Sequence, residues 1–299
     1  MGTIEEASKR LEQLGKAGVE LPWGDAASSA QAPAVQPAAL AGSLQQVAAR
    51  PAPLEEPRQS IDIDLRALEA AGYLVPGAPR SRLLDEFRGI KRPLLSNAVG
   101  GRSQEPVARG NLIMITSSLP GEGKTFVALN LALSLAMQPD QRVLLVDADS
   151  TRRVASQRLG VDPQRRGLID LLLDPNLQLA DVELGTNVER LSFLPAGAVH
   201  DMATELFNGG EMNRLLERMA AKPAQRIVIF DAPPLLHAAE ARVLAPLMGQ
   251  VVLTVQAGRT PRGSVQHALA LLEECPLVMT VLNQARTPSA SSPYGYYAY

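Results

Sequence analysis

Apolar runs of strand length recur from residue 112 onward, and longer segments with helical periodicity separate several of them. The strand-length runs lie at 112–115, 143–146, 191–194, 227–230, 251–255 and 278–282. The helical patterns lie at 125–137, 211–221 and 263–274. Because a continuous apolar run is typical of a strand buried on both faces, this alternation predicts an α/β fold with a doubly wound, mostly parallel sheet flanked by helices.

The first eighty residues have a different pattern. Residues 1–24 carry apolar positions at helical spacing behind a capping box, which predicts a short N-terminal helix. Alanine and proline dominate the stretch that follows, so residues 25–80 are expected to form a linker with room for a short helix at 63–71. The expected organisation is a flexible N-terminal extension, a folded domain at 81–288 and a Tyr-rich C-terminal tail at 289–299.

A phosphate-binding loop is predicted after the first apolar run. Residues 116–125 read TSSLPGEGKT and lead into a helical pattern. In such a loop, backbone N–H groups and the helix N-terminus bind phosphates, Lys124 reaches the outer phosphates, and the hydroxyl of Thr125 binds Mg²⁺. The strict pattern has glycine where this chain has Ser118, but the order of strand, loop and helix supports the assignment.

Two further apolar runs end in aspartate. Asp147 and Asp149 follow the run 143–146, and Asp231 follows the run 227–230. Ligands bind at the C-terminal ends of parallel strands, and carboxylates there supply what Mg²⁺ and an attacking oxygen need. One of Asp147 and Asp149 could hold the metal while the other accepts a proton from an incoming hydroxyl, and their spacing does not assign the two roles.

This combination of motifs resembles the bacterial protein-tyrosine kinases, which are P-loop NTPases of the deviant-Walker, MinD-like type. The resemblance covers roughly 81–299 and rests on the segments 120–125, 147–149 and 231–234 and on the terminal tyrosines. The run 87–95 resembles the branch found with exosortase-linked exopolysaccharide clusters. The resemblance implies an ATP-dependent protein-tyrosine autokinase that phosphorylates C-terminal tyrosines of neighbouring subunits and regulates exopolysaccharide or capsule biosynthesis or export.

The same resemblance implies roles for individual residues. The catalytic set is Lys124, Asp147, Asp149 and Asp231, with Asp147 as the base toward tyrosine. The Mg²⁺ ligands are Thr125, Asp149 and Asp231. The residues that bind ATP are Pro120, Gly121, Glu122, Gly123, Lys124, Thr125, Phe126 and Asn283.

Two further features of the family have counterparts here. A helix with the pattern Glu-x-x-Arg-x-x-Arg packs the family's subunits into a ring, and Asp85, Arg88 and Lys91 stand in a similar place. The family usually has arginine where this chain has Thr151. If that arginine contacts phosphate or a neighbouring subunit, an adjacent residue of the pair Arg152 and Arg153 must replace it, or activity is reduced.

The tyrosines are concentrated at one place. Four of the five lie in the last six residues, at Tyr294, Tyr296, Tyr297 and Tyr299. Aromatic side chains with no core to join gain nothing from burial, whereas they make sense as substrates. Four phosphates would add about −6 to −8 charges at pH 7, so trans-autophosphorylation within a ring is expected to loosen that ring.

Composition and charge limit the classes of partner that are expected for this chain. Twenty-nine basic and 31 acidic residues give a net charge of −2, which argues against nucleic acid as the main partner. The lack of a secretory signal and of a membrane-length apolar run predicts a cytoplasmic protein. The resemblance implies recruitment to the membrane by a separate chain-length regulator, and a tyrosine phosphatase as a further partner.

Two other functions fit part of the pattern. A ParA/MinD-like positioning ATPase has a similar sheet and loop, but it carries a lysine five residues before the loop lysine, where this chain has Leu119. A non-catalytic ATP-binding switch is the other alternative, and Thr151 keeps it open. Phosphotyrosine formation would separate the kinase from both.

Overall fold

An eight-stranded sheet is the centre of the computed structural model, which describes residues 56–101, 105–221 and 226–285. The strands are β1 (Gln59–Ile61), β2 (Leu112–Ser117), β3 (Arg142–Asp147), β4 (Leu184–Thr186), β5 (Leu191–Leu194), β6 (Arg226–Asp231), β7 (Gln250–Gln256) and β8 (Val278–Asn283). Their order across the sheet is β1-β4-β5-β3-β6-β2-β7-β8, and β4 with β5 is the antiparallel pair among the described strands. The predicted mostly parallel α/β class is confirmed, and each of the six predicted strands is present.

Helices flank the sheet. They are α1 (Leu65–Ala70), α2 (Arg82–Val99), α3 (Lys124–Ala136), α4 (Val154–Arg158), α5 (Leu168–Leu173), α6 (Leu179–Val182), α7 (Ala203–Phe207), α8 (Gly210–Ala220), α9 (Ala239–Leu244) and α10 (Arg262–Ala270), with a 3₁₀ turn at Ala245–Leu247. Helices α3 and α8 match the predicted helical patterns within one residue at each end. No helix in the described ranges is both long enough and apolar enough to cross a lipid bilayer.

Two apolar cores lie on opposite faces of the sheet. Ile113 and Ile115 of β2 belong to one core, whereas Leu112 and Met114 of the same strand belong to the other. Side chains alternate between the faces of a strand, so a strand covered on both faces needs apolar residues at every position. Burial on both faces is the physical reason for the continuous apolar runs in the sequence.

The folded domain begins earlier than the predicted boundary at residue 81. Strand β1 extends the sheet by pairing parallel with β4, and α1 lies inside the range predicted for a short helix. Tyr73 is buried with its ring 5.2 Å from the ring of Phe126, and the N–H of Leu74 donates to Oδ1 of Asn130 at 2.7 Å. The predicted short helix is present, but the predicted linker is wrong at 59–61 and 73–75, because a few well-spaced apolar residues suffice to anchor a segment whose average composition is poor in large apolar side chains.

Parts of the predicted organisation lie outside the described residues. These are the N-terminal helix at 1–24, the first part of the linker and the tyrosine tail at 289–299. Each of them stays a prediction.

Parallel pairing brings the ends of three strands together. Strand β6 lies between β3 and β2, and Asp147 stands opposite Asp231 in register. Ile115 of β2 pairs with the same Asp231, and the segment that follows β2 leads into α3. The two predicted acidic strand ends and the predicted phosphate loop therefore meet at one edge of the sheet.

Candidate active site

Contacts from distant parts of the chain hold the loop between β2 and α3. The side chain of Glu122 is buried, and its Oε2 accepts from the N–H of Leu119 at 2.9 Å. Its Oε1 accepts from the hydroxyl of Thr260, and Nδ2 of Asn283 donates to the Glu122 carbonyl at 2.9 Å. The buried side chain of Glu122 therefore fixes the conformation of the loop, and its backbone is part of the predicted phosphate-binding turn.

The loop requires glycine at position 123. Gly123 has φ +92°, and a Cβ there would come 2.0 Å from Nδ2 of Asn283. A side chain would therefore meet both backbone strain and a clash. Ser118 is not among the described residues with positive φ, so the loop does not need the conformational freedom of glycine at that position.

The other predicted nucleotide-binding residues differ in their surroundings. Pro120 and Gly121 are exposed at the tip of the loop. The ring of Phe126 points away from the loop and packs against Tyr73 and, at 6.5 Å, against Phe87. The backbone of Phe126 is the part of this residue that stays beside the loop, in the first turn of α3.

Lys124 and Thr125 join the loop to two of the aspartates. Nζ of Lys124 donates to Oδ2 of Asp149 at 2.9 Å and lies 3.7 Å from Oδ1 of Asp231. The hydroxyl of Thr125 donates to Oδ2 of Asp231 at 2.7 Å. All four side chains are buried, so bulk water screens these contacts little.

Asp147 is also fully buried, but neutral groups hold it. Its Oδ2 accepts from the hydroxyl of Ser156 at 2.7 Å and from the N–H of the same residue at 3.0 Å. Its Oδ1 accepts from the N–H of Asp149 at 3.2 Å. Ser156 is a site residue that sequence reasoning missed, because it lies nine positions away in α4 and belongs to no motif.

Burial shifts the pKa values of this cluster. Burial and, to a smaller extent, the charge of Asp231 raise the pKa of Asp147 to about 7, against the opposing effect of the hydrogen bonds from Ser156. Burial also raises the pKa of Asp231, against the opposing charge of Lys124. Burial lowers the pKa of Lys124, but the charges of Asp231 and Asp149 outweigh this effect, so the net shift is upward. Three carboxyl groups thus share one ammonium group in a place where charge is costly.

The arrangement fits a magnesium ion bound together with a nucleotide. Oδ1 of Asp231 is buried and accepts no hydrogen bond, which leaves one oxygen available beside the hydroxyl of Thr125. Across the described ranges, no group of three or more His, Cys, Asp or Glu side chains forms a metal site. Mg²⁺ typically keeps several waters and binds one or two carboxylates plus substrate phosphates, so it needs no such cage.

The residues predicted for the subunit interface lie on α2. An Nη atom of Arg88 donates to Oδ1 of Asp85 at 2.9 Å, and both side chains are exposed. Hydrogen bonds, first from Arg80 and then from Arg88, hold the pKa of Asp85 below its ordinary value. Lys91 is half-buried, and its Nζ donates to the Ser134 carbonyl of α3 at 2.7 Å, so it is engaged within its own chain.

The two arginines after Thr151 have different surroundings. Arg153 is turned into the protein, where its Nε donates to the Ser150 carbonyl at 3.0 Å and an Nη atom donates to the Pro163 carbonyl at 2.7 Å. Arg152 is exposed, and within the part of the chain that the structure describes its guanidinium makes no hydrogen bond or ion pair. Arg152 is therefore the arginine that is free to bind an anion.

Comparison with known proteins identifies the family. The family model described as "AAA domain" matches residues 110–275. Tyrosine-protein kinase CpsD of Streptococcus agalactiae is 34% identical over 178 residues, which cover 60% of this chain and 76% of that protein. Tyrosine-protein kinase YwqD of Bacillus subtilis strain 168 is 33% identical over 221 residues, which cover 73% and 88%. The chain belongs to the bacterial tyrosine-protein kinases.

A further relative and two solved structures support the same family assignment. The succinoglycan biosynthesis transport protein ExoP of Rhizobium meliloti strain 1021 is 31% identical over 209 residues, which cover 69% of this chain and 25% of that protein. The VpsO kinase domain superimposes with a TM-score of 0.57 at 28% identity over 69% of this chain and 97% of that one. The kinase domain of the Escherichia coli tyrosine kinase ETK gives 0.55 at 26% identity over 77% and 97%. The family predicted from the motifs and the enzyme class, a protein-tyrosine kinase, are confirmed.

Proposed function

We propose that this tyrosine kinase transfers the γ-phosphoryl group of ATP, with Mg²⁺, to the tyrosines of segment 289–299 of a neighbouring subunit. The observation that carries the proposal is the meeting of the Lys124 loop with three buried carboxyl groups at one sheet edge. The same arrangement would also suit ATP hydrolysis without transfer to a protein. Only a kinase gives the four tail tyrosines a role, however, so no second function is put forward.

Residues of the loop and of two strand ends would bind the nucleotide. Lys124 would move from Asp149 and Asp231 to the phosphates, which are stronger partners for its ammonium group. Thr125, Asp149 and Asp231 would hold Mg²⁺ between the protein and the phosphates. The ion would neutralise the charge that develops on the phosphate oxygens during transfer.

Asp147 would accept the proton of the incoming tyrosine. As the tyrosine oxygen bonds to the γ-phosphorus, the bond to the bridging oxygen of ADP breaks and the phenolic proton passes to a carboxylate oxygen of Asp147. A base should have a pKa near the operating pH, and the pKa of about 7 meets this condition. Ser156 would keep the acceptor oxygen in place through its two hydrogen bonds.

The same proposal includes assembly and partners. Asp85 and Arg88 are exposed on α2 and would contact the next subunit of a ring. Lys91 would hold α2 against α3 of its own subunit through its hydrogen bond to the Ser134 carbonyl. A separate membrane-bound chain-length regulator would activate the ring, and a tyrosine phosphatase would reverse the reaction. The relative ExoP is a succinoglycan biosynthesis transport protein, which supports an exopolysaccharide role for this chain.

Phosphate mapping tests the proposal. Purified protein is incubated with ATP, Mg²⁺ and a membrane activator, and phosphorylated residues are identified by mass spectrometry. Transfer between subunits is tested by mixing a Lys124→Met chain, which keeps its tyrosines, with an active chain whose four tail tyrosines are changed to phenylalanine. Phosphate is expected on the Lys124→Met chain. Absence of phosphotyrosine at Tyr294, Tyr296, Tyr297 and Tyr299 in the wild-type protein would contradict the proposal.

A further inference from the structure

A pocket of about 240 Å³ lies beside the candidate active site and takes no part in the roles given so far. Ser156 lies in its wall, and this is the residue whose hydroxyl holds Asp147. The segment 151–153, which follows directly on Asp149, forms another side. The pocket is therefore separated from the proposed base by a single side chain.

Cationic side chains dominate the charge of the pocket. Arg152, Arg153 and Arg165 line it together with one carboxylate, that of Asp162. Oδ1 of Asp162 accepts from the N–H of Gln164 at 2.8 Å, so this carboxylate serves the local turn. Arg165 donates to the neutral amide of Gln59, which leaves its charge uncompensated. The excess of positive charge suits an anionic ligand.

Apolar groups supply the rest of the lining. Val161 and Ala196 are buried in the pocket wall, and Pro163 and Pro195 add ring carbons. A small inorganic anion would gain nothing from contact with these apolar groups, whereas an aromatic ring would pack against them. The volume is below the ~300–1,000 Å³ typical of pockets for drug-sized ligands, so the pocket suits one side chain rather than a nucleotide.

We infer that this pocket binds a phosphotyrosine side chain of the neighbouring subunit's tail, and the inference rests on the proposed transfer to that tail. The phosphate would contact Arg152 and Arg165, and the ring would lie against Val161 and the prolines. Tyrosines two positions apart in an extended tail are about 7 Å apart. A phosphotyrosine in the pocket therefore keeps a second tyrosine beside Asp147, so the first phosphorylation promotes the next, and the ring loosens only when the charge of several phosphates has accumulated.

Peptide binding tests the site without ATP. The protein is the full chain with all four tail tyrosines changed to phenylalanine, so that its own tail provides no phosphotyrosine. The probes are fluorescent nine-residue peptides with the sequence of 291–299, one unmodified and one phosphorylated at Tyr297 only. The phosphorylated peptide is expected to bind about tenfold more tightly by fluorescence anisotropy, because charge-assisted hydrogen bonds to arginine are strong. Equal binding of the two peptides would overturn the inference.

A matched pair of variants locates the binding site. Arg152→Gln removes a guanidinium that makes no contact among the described residues, and it is expected to abolish the preference for the phosphorylated peptide. Arg166→Gln is the control, since Arg166 is exposed, pairs with Asp174 at 3.0 Å and does not line the pocket. Loss of the preference in both variants, or in neither, would contradict the assignment.

Competition distinguishes phosphotyrosine from other anions. Phenyl phosphate is expected to displace the phosphorylated peptide at lower concentration than inorganic phosphate does, because only the former has a ring for the apolar wall. Equal competition would reduce the pocket to a general anion site and overturn the inference. If tail phosphorylation occurs but the peptides bind equally, the pocket assignment fails alone. If the phosphorylated peptide binds but the enzyme never modifies the tail, the proposed function fails, and with it the role given to the pocket.

Discussion

Two ion pairs of the same length have different surroundings in this kinase. Lys124 and Asp149 meet at 2.9 Å at the C-terminal edge of the sheet, and Arg88 and Asp85 meet at 2.9 Å on helix α2. The side chains of the first pair are 10% and 2% exposed, whereas those of the second are 51% and 46% exposed. Distance alone therefore says little about what an ion pair does.

The comparison shows that the carboxyl groups without a full complement of cations lie at the sheet edge and not on helix α2. Water screens the pair on α2, so its contribution to stability is small and the residues are free to contact another subunit. The pair at the sheet edge shares a dry site with Asp147 and Asp231, and both of these carboxyl groups have raised pKa values. Such an arrangement costs stability and is typical of a functional site.

The largest expected effect comes from breaking the buried pair. Lys124→Met would leave Asp149 and Asp231 without their cation, and we expect a loss of about 3–5 kcal/mol in the free energy of unfolding near neutral pH. Phosphoryl transfer should fall below detection. Chemical denaturation measures the first effect and phosphate incorporation the second.

Arg88→Met is the matched control for that stability measurement. It removes the cation of the exposed pair, and the unfolding midpoint is expected to stay within experimental error of the wild type. A destabilisation as large as that of Lys124→Met would contradict the contrast between the two pairs.

The pH dependence of stability is expected to have opposite signs for Asp147 at the sheet edge and for Asp85 on helix α2. The pKa of Asp147 is raised to about 7 in the folded protein, so the folded state holds a proton that the unfolded state has released, and stability falls as pH rises from about 4 to about 7. Asp147→Asn should reduce this slope by the contribution of Asp147, about 1.4 kcal/mol per unit of pKa difference, and leave the part that comes from the raised pKa of Asp231. Denaturation at several pH values, without nucleotide or Mg²⁺, measures it. An unchanged slope in the variant would contradict the assignment to Asp147.

A smaller effect is expected from the hydroxyl that holds Asp147. Ser156→Ala removes the 2.7 Å hydrogen bond and leaves the backbone contact at 3.0 Å. The rate of the first tail phosphorylation should fall about tenfold, which corresponds to a charge-assisted hydrogen bond of ~1.5 kcal/mol. ATP affinity should stay unchanged, and Ser156→Thr, which keeps the hydroxyl, should recover most of the rate. A change in ATP affinity without a change in rate would contradict a positioning role.

The effect on stability of Asp85→Asn is expected to be as small as that of Arg88→Met. The lowered pKa of Asp85 means that its contacts with Arg80 and, to a smaller extent, Arg88 stabilise the fold above the ordinary pKa of aspartate, and that this contribution is lost as pH falls. Because these groups are exposed, the unfolding midpoint at pH 7 should hardly change. The mass of the assembly in light scattering should fall, and an unchanged mass would argue against Asp85 at a subunit interface.

The motifs predicted the site to different extents. The strands that carry Asp147 and Asp231 were clear from their apolar runs, and the parallel sheet then required the two residues to meet. Ser156 could not be predicted, because its contact with Asp147 depends on the path of the chain between β3 and α4. The anchoring of Tyr73 against Phe126 was missed as well, since a composition average over 25–80 hides a short apolar cluster.

The sequence by itself determined the order of strands and helices, the phosphate loop and the residue types at the strand ends. These features are local, because periodicity and loop chemistry depend on near neighbours along the chain. Only the tertiary structure decided which aspartate faces Lys124 and which is held by Ser156, and only it made a cationic pocket from residues 151–165 and 195–197. Those outcomes depend on packing between distant segments, where burial and the nearest partner set the charge state of each group.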